Sequence, residues 1–254
     1  MMAGQGSTQE GLVLTTTGGP VSLAPDALLV FVDETGADDL KDPHHPVFGL
    51  GGCVVTALRY LPAIETPWME LRRRCFPDWE GRPLHASSLH PTPDQLDGLS
   101  AFFQSGPFAR VAALLSNRTE LAVPNHRYEL TALALLNRIH EVAPAFWPFS
   151  SVHIVIESST RGDPLAVRYL AGYQEVRIVV EDQTHLCPVQ KYFAPKSAGL
   201  AGLEVADFIV QAAGASVRLE ASHPGRGIDR LDFRAVFRSV PRQLASYIDV
   251  RSAG

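Results

Sequence analysis

Cysteine is scarce in this chain. Cys53, Cys75 and Cys187 are the three present, odd in number and widely spaced. Such a set builds neither a disulfide framework nor a zinc knuckle, so the three read as buried thiols in a reducing compartment. Methionine also occurs only three times, too rarely for a plastic, Met-rich binding groove. No apolar run approaches the roughly 18 residues that span a bilayer, and the first residues lack the basic-then-apolar order of a secretory signal. The expected setting is the cytoplasm, with no membrane partner. Neither sign of charge dominates. A net charge of −5 argues against a protein that coats nucleic acid, yet it leaves room for a nuclease whose acidic site adjoins a local basic patch. Internal repeats, low-complexity tracts and a Ser–His–Asp elbow are missing. Residues 48–52 (FGLGG) lie inside a strand-like run with no helix after it, so a nucleotide-binding loop fails on context.

What remains is an ordinary globular composition, 46% hydrophobic and 19% charged over 254 residues, enough for one large domain or two small ones. The most informative stretch is Leu28-Leu29-Val30-Phe31-Val32-Asp33-Glu34-Thr35-Gly36. An unbroken apolar run fits a strand covered on both faces. Its end in two acids has two readings. Asp33 and Glu34 either open a turn or line a polar crevice that welcomes negative charge, because an unpaired buried carboxylate is costly.

Residues 1–26, rich in Gly, Ser and Thr, read as a flexible leader or an edge hairpin. After the 28–33 strand comes a polar loop holding His44 and His45, which either gate a site or are simply solvated. Residues 47–56 form a second strand. An insertion follows at about 59–105. It holds one helix over 62–76 ending in Arg72-Arg73-Arg74, a loop with His85 and His90, and a second helix capped by Thr92 with Pro93 in its first turn. Residues 108–116 make a third strand, and Asn125 caps a helix to about Val142 with Leu133, Leu136 and Ile139 on its apolar face. Residues 151–157 make a fourth strand ending in Glu157, followed by a helix from about Pro164. Residues 187–193 are a fifth strand, 200–218 an apolar helix, and 223–254 a tail with one weak amphipathic segment, Leu231 to Tyr247. Strands joined directly, then strand–helix alternation, imply a mixed α/β sheet with helices on both faces.

In the 200–218 helix the polar residues Glu204, Asp207 and Gln211 fall on one stripe. That stripe faces either a sliver of solvent or an internal polar site. Glu129 sits one turn before Leu133 on the side taken as core-facing; the plainer account is a first-turn acid favoured by the helix dipole. Asp33, Glu157, Glu129 and Asp207 together can converge, and packed carboxylates stay protonated unless a cation neutralises them. Hard oxygen ligands without cysteine select Mg²⁺ or Mn²⁺. Two such ions about 4 Å apart serve in-line phosphodiester displacement. Acids pointing into separate regions, or a lysine or arginine occupying the gap where the ion belongs, would end the hydrolase reading and leave only a folded scaffold.

The motifs FVDETG (31–36), FGLGGCVV (48–55), PLHASSL (83–89) and GLEVADFIV (202–210) resemble those of the domain of unknown function 3800 family, over about Leu28 to Arg218. The resemblance implies a ribonuclease H-like, five-stranded mixed sheet flanked by helices, in a domain at 27–222. It also implies nuclease chemistry and site roles for Asp33, Glu34, His85 and Asp207. Glu157 stands where that family often has Asp, and Glu204 where Gln is usual, so an extra acid lies beside Asp207. The expectation is therefore a nuclease acting on DNA or RNA. Asp33, Glu157, Asp207 and Glu204 are taken as metal ligands, Glu129 or Glu34 completes the shell, and His85 assists. Lys191 and Lys196 are candidate contacts to the scissile phosphate. The alternatives are an inactive module of the same fold that binds nucleic acid or a protein, and a small-molecule phosphoesterase.

Overall fold

The computed structural model describes residues 11–42, 46–116, 127–223, 226, 228–239 and 245–247. His44, His45 and the Asn125 cap lie outside them. The chain opens with β1 (Leu12–Thr16) and β2 (Gly19–Leu23), which form a two-stranded antiparallel hairpin. Thr17 N–H donates to the Phe193 carbonyl at 2.7 Å, tying the hairpin to the main sheet. Next come β3 (Leu28–Thr35), β4 (Val47–Thr56), α1 (Ala57–Tyr60), α2 (Thr66–Cys75) and α3 (Pro93–Ser105). Thr92 caps α3 in a reciprocal box with Gln95, as its spacing predicts. Then follow β5 (Ala109–Ser116), α4 (Arg127–Val142), β6 (Val152–Glu157), α5 (Gly162–Leu170), β7 (Glu175–Val180), β8 (Gln183–Ala194), α6 (Ala201–Ser222), α7 (Leu231–Ser239) and β9 (Ala245–Tyr247).

Among the described residues the main sheet has seven strands in the order β7-β8-β6-β3-β4-β5-β9. β3 runs antiparallel to β4 and parallel to β6, and β8 is parallel to β6. The mixed α/β class is as the sequence implies, but two strands exceed the five expected. β7 belongs to a hairpin whose turn, Glu181 and Asp182, has φ of 49° and 62°. Glycine or asparagine usually marks such a turn, and neither is there. β9 is three residues long and pairs with β5 through Ala112–Leu114, too short to carry a periodic signal.

Alternation along β3 divides the core. Leu29 and Phe31 face a cluster with α6 and the 57–105 helices, while Leu28, Val30 and Val32 face α4 and α5. α6 lies close to the sheet because small residues meet there. A Cβ on Gly202 would stand 2.5 Å from the Phe31 ring, and one on Gly52 would stand 3.1 Å from Ala206. Among the described residues no helix is long and apolar enough to cross a membrane.

Candidate functional site

The last paired residues of parallel β3 and β6 are Val32 and Ile156. The next residue on each strand is an acid, so Asp33 and Glu157 stand side by side, Asp33 paired with Gly51 of β4 and Glu157 with Ala194 of β8. Both continue the rows of Phe31 and Val155, which face α6. Asp207 comes down from α6 onto the same strand ends, one residue after Ala206 beside Gly52.

Asp33 is 7% exposed. Burial raises its pKa well above the ordinary carboxylate value, and the charges of Asp207 and Glu157 raise it further. The Glu34 N–H, donating to Asp33 Oδ1 at 2.7 Å, and Lys196 act in the opposite sense. Asp207 Oδ2 accepts the Ala86 N–H at 2.8 Å, and His85 Nδ1 lies 3.6 Å from the same oxygen. The 83–89 segment therefore passes directly over α6.

Lys196 joins these acids through Glu157. Its Nζ is 2.7 Å from Glu157 Oε1. Burial works against its charge, but the hydrogen bond to Glu157 and the charges of Glu157, Asp33 and Asp207 outweigh burial and raise its pKa. The sequence reading had this lysine touching phosphate and missed its place among the acids. The available signal was its position, two residues after β8 and five before α6.

The other proposed acids take different places. Adjacent residues of a strand point to opposite faces, so Glu34 leaves Asp33 for the α5 side. There Ser159 Oγ donates to Glu34 Oε1 at 3.4 Å. Burial raises the Glu34 pKa, while Arg161 and Ser159 partly counter it. Glu129 is half-buried on α4, across the sheet from α6. The buried stripe of α4 runs through Tyr128, Ala132, Leu135, Leu136 and Ile139, while Leu133 is 49% exposed. Leu136 and Ile139 are on the core face as expected, Leu133 is not, and Glu129 lies half-buried at the edge of that face.

Glu204 has both oxygens engaged. Trp68 Nε1 donates to Oε2 at 2.8 Å, and Arg72 Nη1 to Oε1 at 2.5 Å. Burial raises the Glu204 pKa, and those two partners and the Leu84 backbone lower it. Its role as a metal ligand is thus replaced by a structural ion pair that ties α2 to α6. Arg72, first of the three arginines that end the helix, points inward. Gln211, third on the stripe, accepts from Thr35 Oγ1 at 3.0 Å. The polar stripe of α6 is internal throughout, each residue meeting a different segment of chain.

No family model matches this chain, and no curated protein matches it. Among the described residues no group of three or more His, Cys, Asp or Glu side chains is arranged to hold a metal ion. The donor chemistry still suits a hard divalent cation in kind. Three ionised carboxylates and one ammonium would carry two net negative charges, and burial, together with the charges of Asp207 and Glu157, favours the proton on Asp33. Asp33 and Asp207 are the pair left without the lysine's direct contact. Magnesium is commonly held by one or two carboxylates, with water and substrate phosphates supplying the rest.

Proposed function

We propose that this chain is a Mg²⁺- or Mn²⁺-dependent phosphodiester hydrolase acting on DNA or RNA. The observation that carries the reading is the meeting of Asp33, Glu157 and Asp207 at one end of the central strands, with their negative charge only partly offset by Lys196. The strand order supports a ribonuclease H-like core. The third, second and first strands of that core (β5, β4, β3) are followed by β6 and β8, with β4 reversed. This order is in keeping with the resemblance to the domain of unknown function 3800 family.

Asp33 and Asp207 would hold the ion, Asp33 giving up its proton as it does so. When bound, the ion supplies positive charge to the reacting phosphate and acidity to a water. The Ala86 N–H fixes the Asp207 carboxylate. Glu157, steadied by Lys196, would orient the attacking water and take its proton. The Lys196 ammonium offers donors to a phosphate oxygen, and His85 is placed to protonate the leaving oxygen. In this reading Lys196 supplies part of the charge for which a second ion was expected, so one ion suffices. Glu34, Glu129 and Glu204 stay outside the reacting centre.

The test is cleavage of single- and double-stranded DNA and RNA with Mn²⁺ by wild type and Asp33→Asn. Activity in wild type that the variant lacks supports the proposal; equal activity in both ends it. The Lys196–Glu157 contact favours a second reading, a closed, non-catalytic module with the lysine as resident cation. That reading predicts no rise in melting temperature with Mn²⁺, whereas an ion site linked to folding gives one.

A further inference from the structure

β3 and α6 run on together beyond the carboxylates. Thr35 lies two residues past Asp33 on the same face, about 7 Å farther along the strand. Gln211 lies four residues past Asp207, about 6 Å farther along the helix. The hydrogen bond between them shows that both advance in the same direction. They form the near wall of a cavity of about 120 Å³, whose other polar lining includes Ser87, Arg218 and Arg230. Among the described residues no acidic side chain lines it. A Cβ on Gly214 would stand 2.9 Å from the Thr35 methyl group, so glycine keeps that wall clear.

The two arginines are not equivalent. Arg230 is a staple. Its Nη2 donates to the carbonyls of Ala86 and Leu89 and to Asp232 Oδ2, and its Nη1 donates to the Ser87 carbonyl. The buried Asp232 carboxylate offsets its charge. Arg218, two turns beyond Gln211 on the same stripe, takes part in no hydrogen bond or ion pair among the described residues. A half-buried guanidinium beside a small polar cavity without acids is suited to an oxyanion.

We infer that this cavity is a phosphate subsite that seats the phosphate next to the scissile one on a nucleic-acid strand, with Arg218 as its charge. The inference rests on the proposed hydrolysis at Asp33 and Asp207, because the offset between the two places is of the order of one nucleotide. It makes the substrate a strand with at least two neighbouring phosphates.

The experiment has two arms, on the full chain and on Arg218→Ala and Arg218→Lys, each checked for a native circular dichroism spectrum. In the first, inorganic phosphate is compared with chloride at equal ionic strength by thermal shift. Phosphate is expected to raise the melting temperature of wild type, to do so less in Arg218→Lys, and to have no such effect in Arg218→Ala. In the second, a short fluorescein-labelled single-stranded DNA is titrated by anisotropy over a range of salt. Arg218→Ala is expected to bind roughly tenfold more weakly, with a salt slope smaller by about 0.7. Equal phosphate shifts in all three proteins, no shift in wild type, or an unchanged salt slope would overturn the subsite. A phosphate shift that depends on Arg218 in a protein without nuclease activity would keep the subsite and sink the hydrolase reading. Cleavage that depends on Asp33, with DNA binding indifferent to Arg218, would do the reverse.

Discussion

Lys196 Nζ lies 2.7 Å from Glu157 Oε1, and the same ammonium feels the charges of Asp33 and Asp207. One lysine therefore moderates three acids drawn from two strands and a helix. It leaves the cluster negative, and Asp33 bears the consequence.

Asp33 is held at a cost when ionised. Its folded pKa is raised, so the folded state binds that proton more tightly than the unfolded chain does. The stabilising effect of the proton is complete below the ordinary carboxylate pKa and is lost as pH rises through the higher folded value. Asp33→Asn has no such proton to lose. Its melting temperature is expected to exceed that of wild type at about pH 8 by at least roughly 2 °C, with the gap closing toward pH 4. Mn²⁺ should raise wild type but not the variant. Thermal melts across pH check this, and a variant less stable than wild type at alkaline pH would refute it.

Removing Lys196 separates ion binding from chemistry. In Lys196→Met, Glu157 loses its partner and the cluster becomes more negative. Mn²⁺ is expected to bind more tightly, while hydrolysis falls by about 100-fold through loss of the ammonium near the phosphate. Calorimetric titration with Mn²⁺ and single-turnover cleavage measure the two effects. Weaker Mn²⁺ binding would mean that the lysine organises the ligands rather than competing for them.

Glu204 serves packing. Arg72 and Glu204 are 12% and 5% exposed at their side chains and share a contact of 2.5 Å. Arg72→Met strands a buried carboxylate and is expected to destabilise the fold by about 3 kcal/mol. Glu204→Gln keeps an acceptor for Trp68 and should cost about 1 kcal/mol. Denaturant unfolding gives both values. Mn²⁺ affinity in Glu204→Gln should match wild type, and a tenfold loss would restore Glu204 as a ligand.

The close seat of α6 depends on Gly52. A Cβ there would lie 1.7 Å from the Phe31 carbonyl oxygen, which is backbone and has little freedom to move. Gly52→Ala is expected to cost at least about 2 kcal/mol, with the Asp33–Asp207 relationship disturbed as well. An unfolding midpoint equal to that of wild type would show that the strands adjust without loss.

The sequence by itself determined what local chemistry can specify. The apolar run from Leu28 to Val32 made a buried strand, and the Thr92-Pro93-Asp94-Gln95 order made a capped helix start. Asp33 and Glu157 each follow directly on an apolar strand run, and the spacing of Glu204, Asp207 and Gln211 put them on one stripe of a buried helix. Strand register and helix rotation decided the rest, and both are properties of packing between distant segments. Only the fold showed that Glu34 turns away from its neighbour, that Leu133 faces outward, and that β7 turns into β8 without a glycine. It also paired the stripe's first acid with Arg72 and put Lys196 against Glu157. Those partners lie 132 residues apart in the first case, and no periodicity reaches across such a separation. Charge pairing at that range depends on which surfaces bury each other, and hydrophobic packing settles that before any side chain finds its counter-ion.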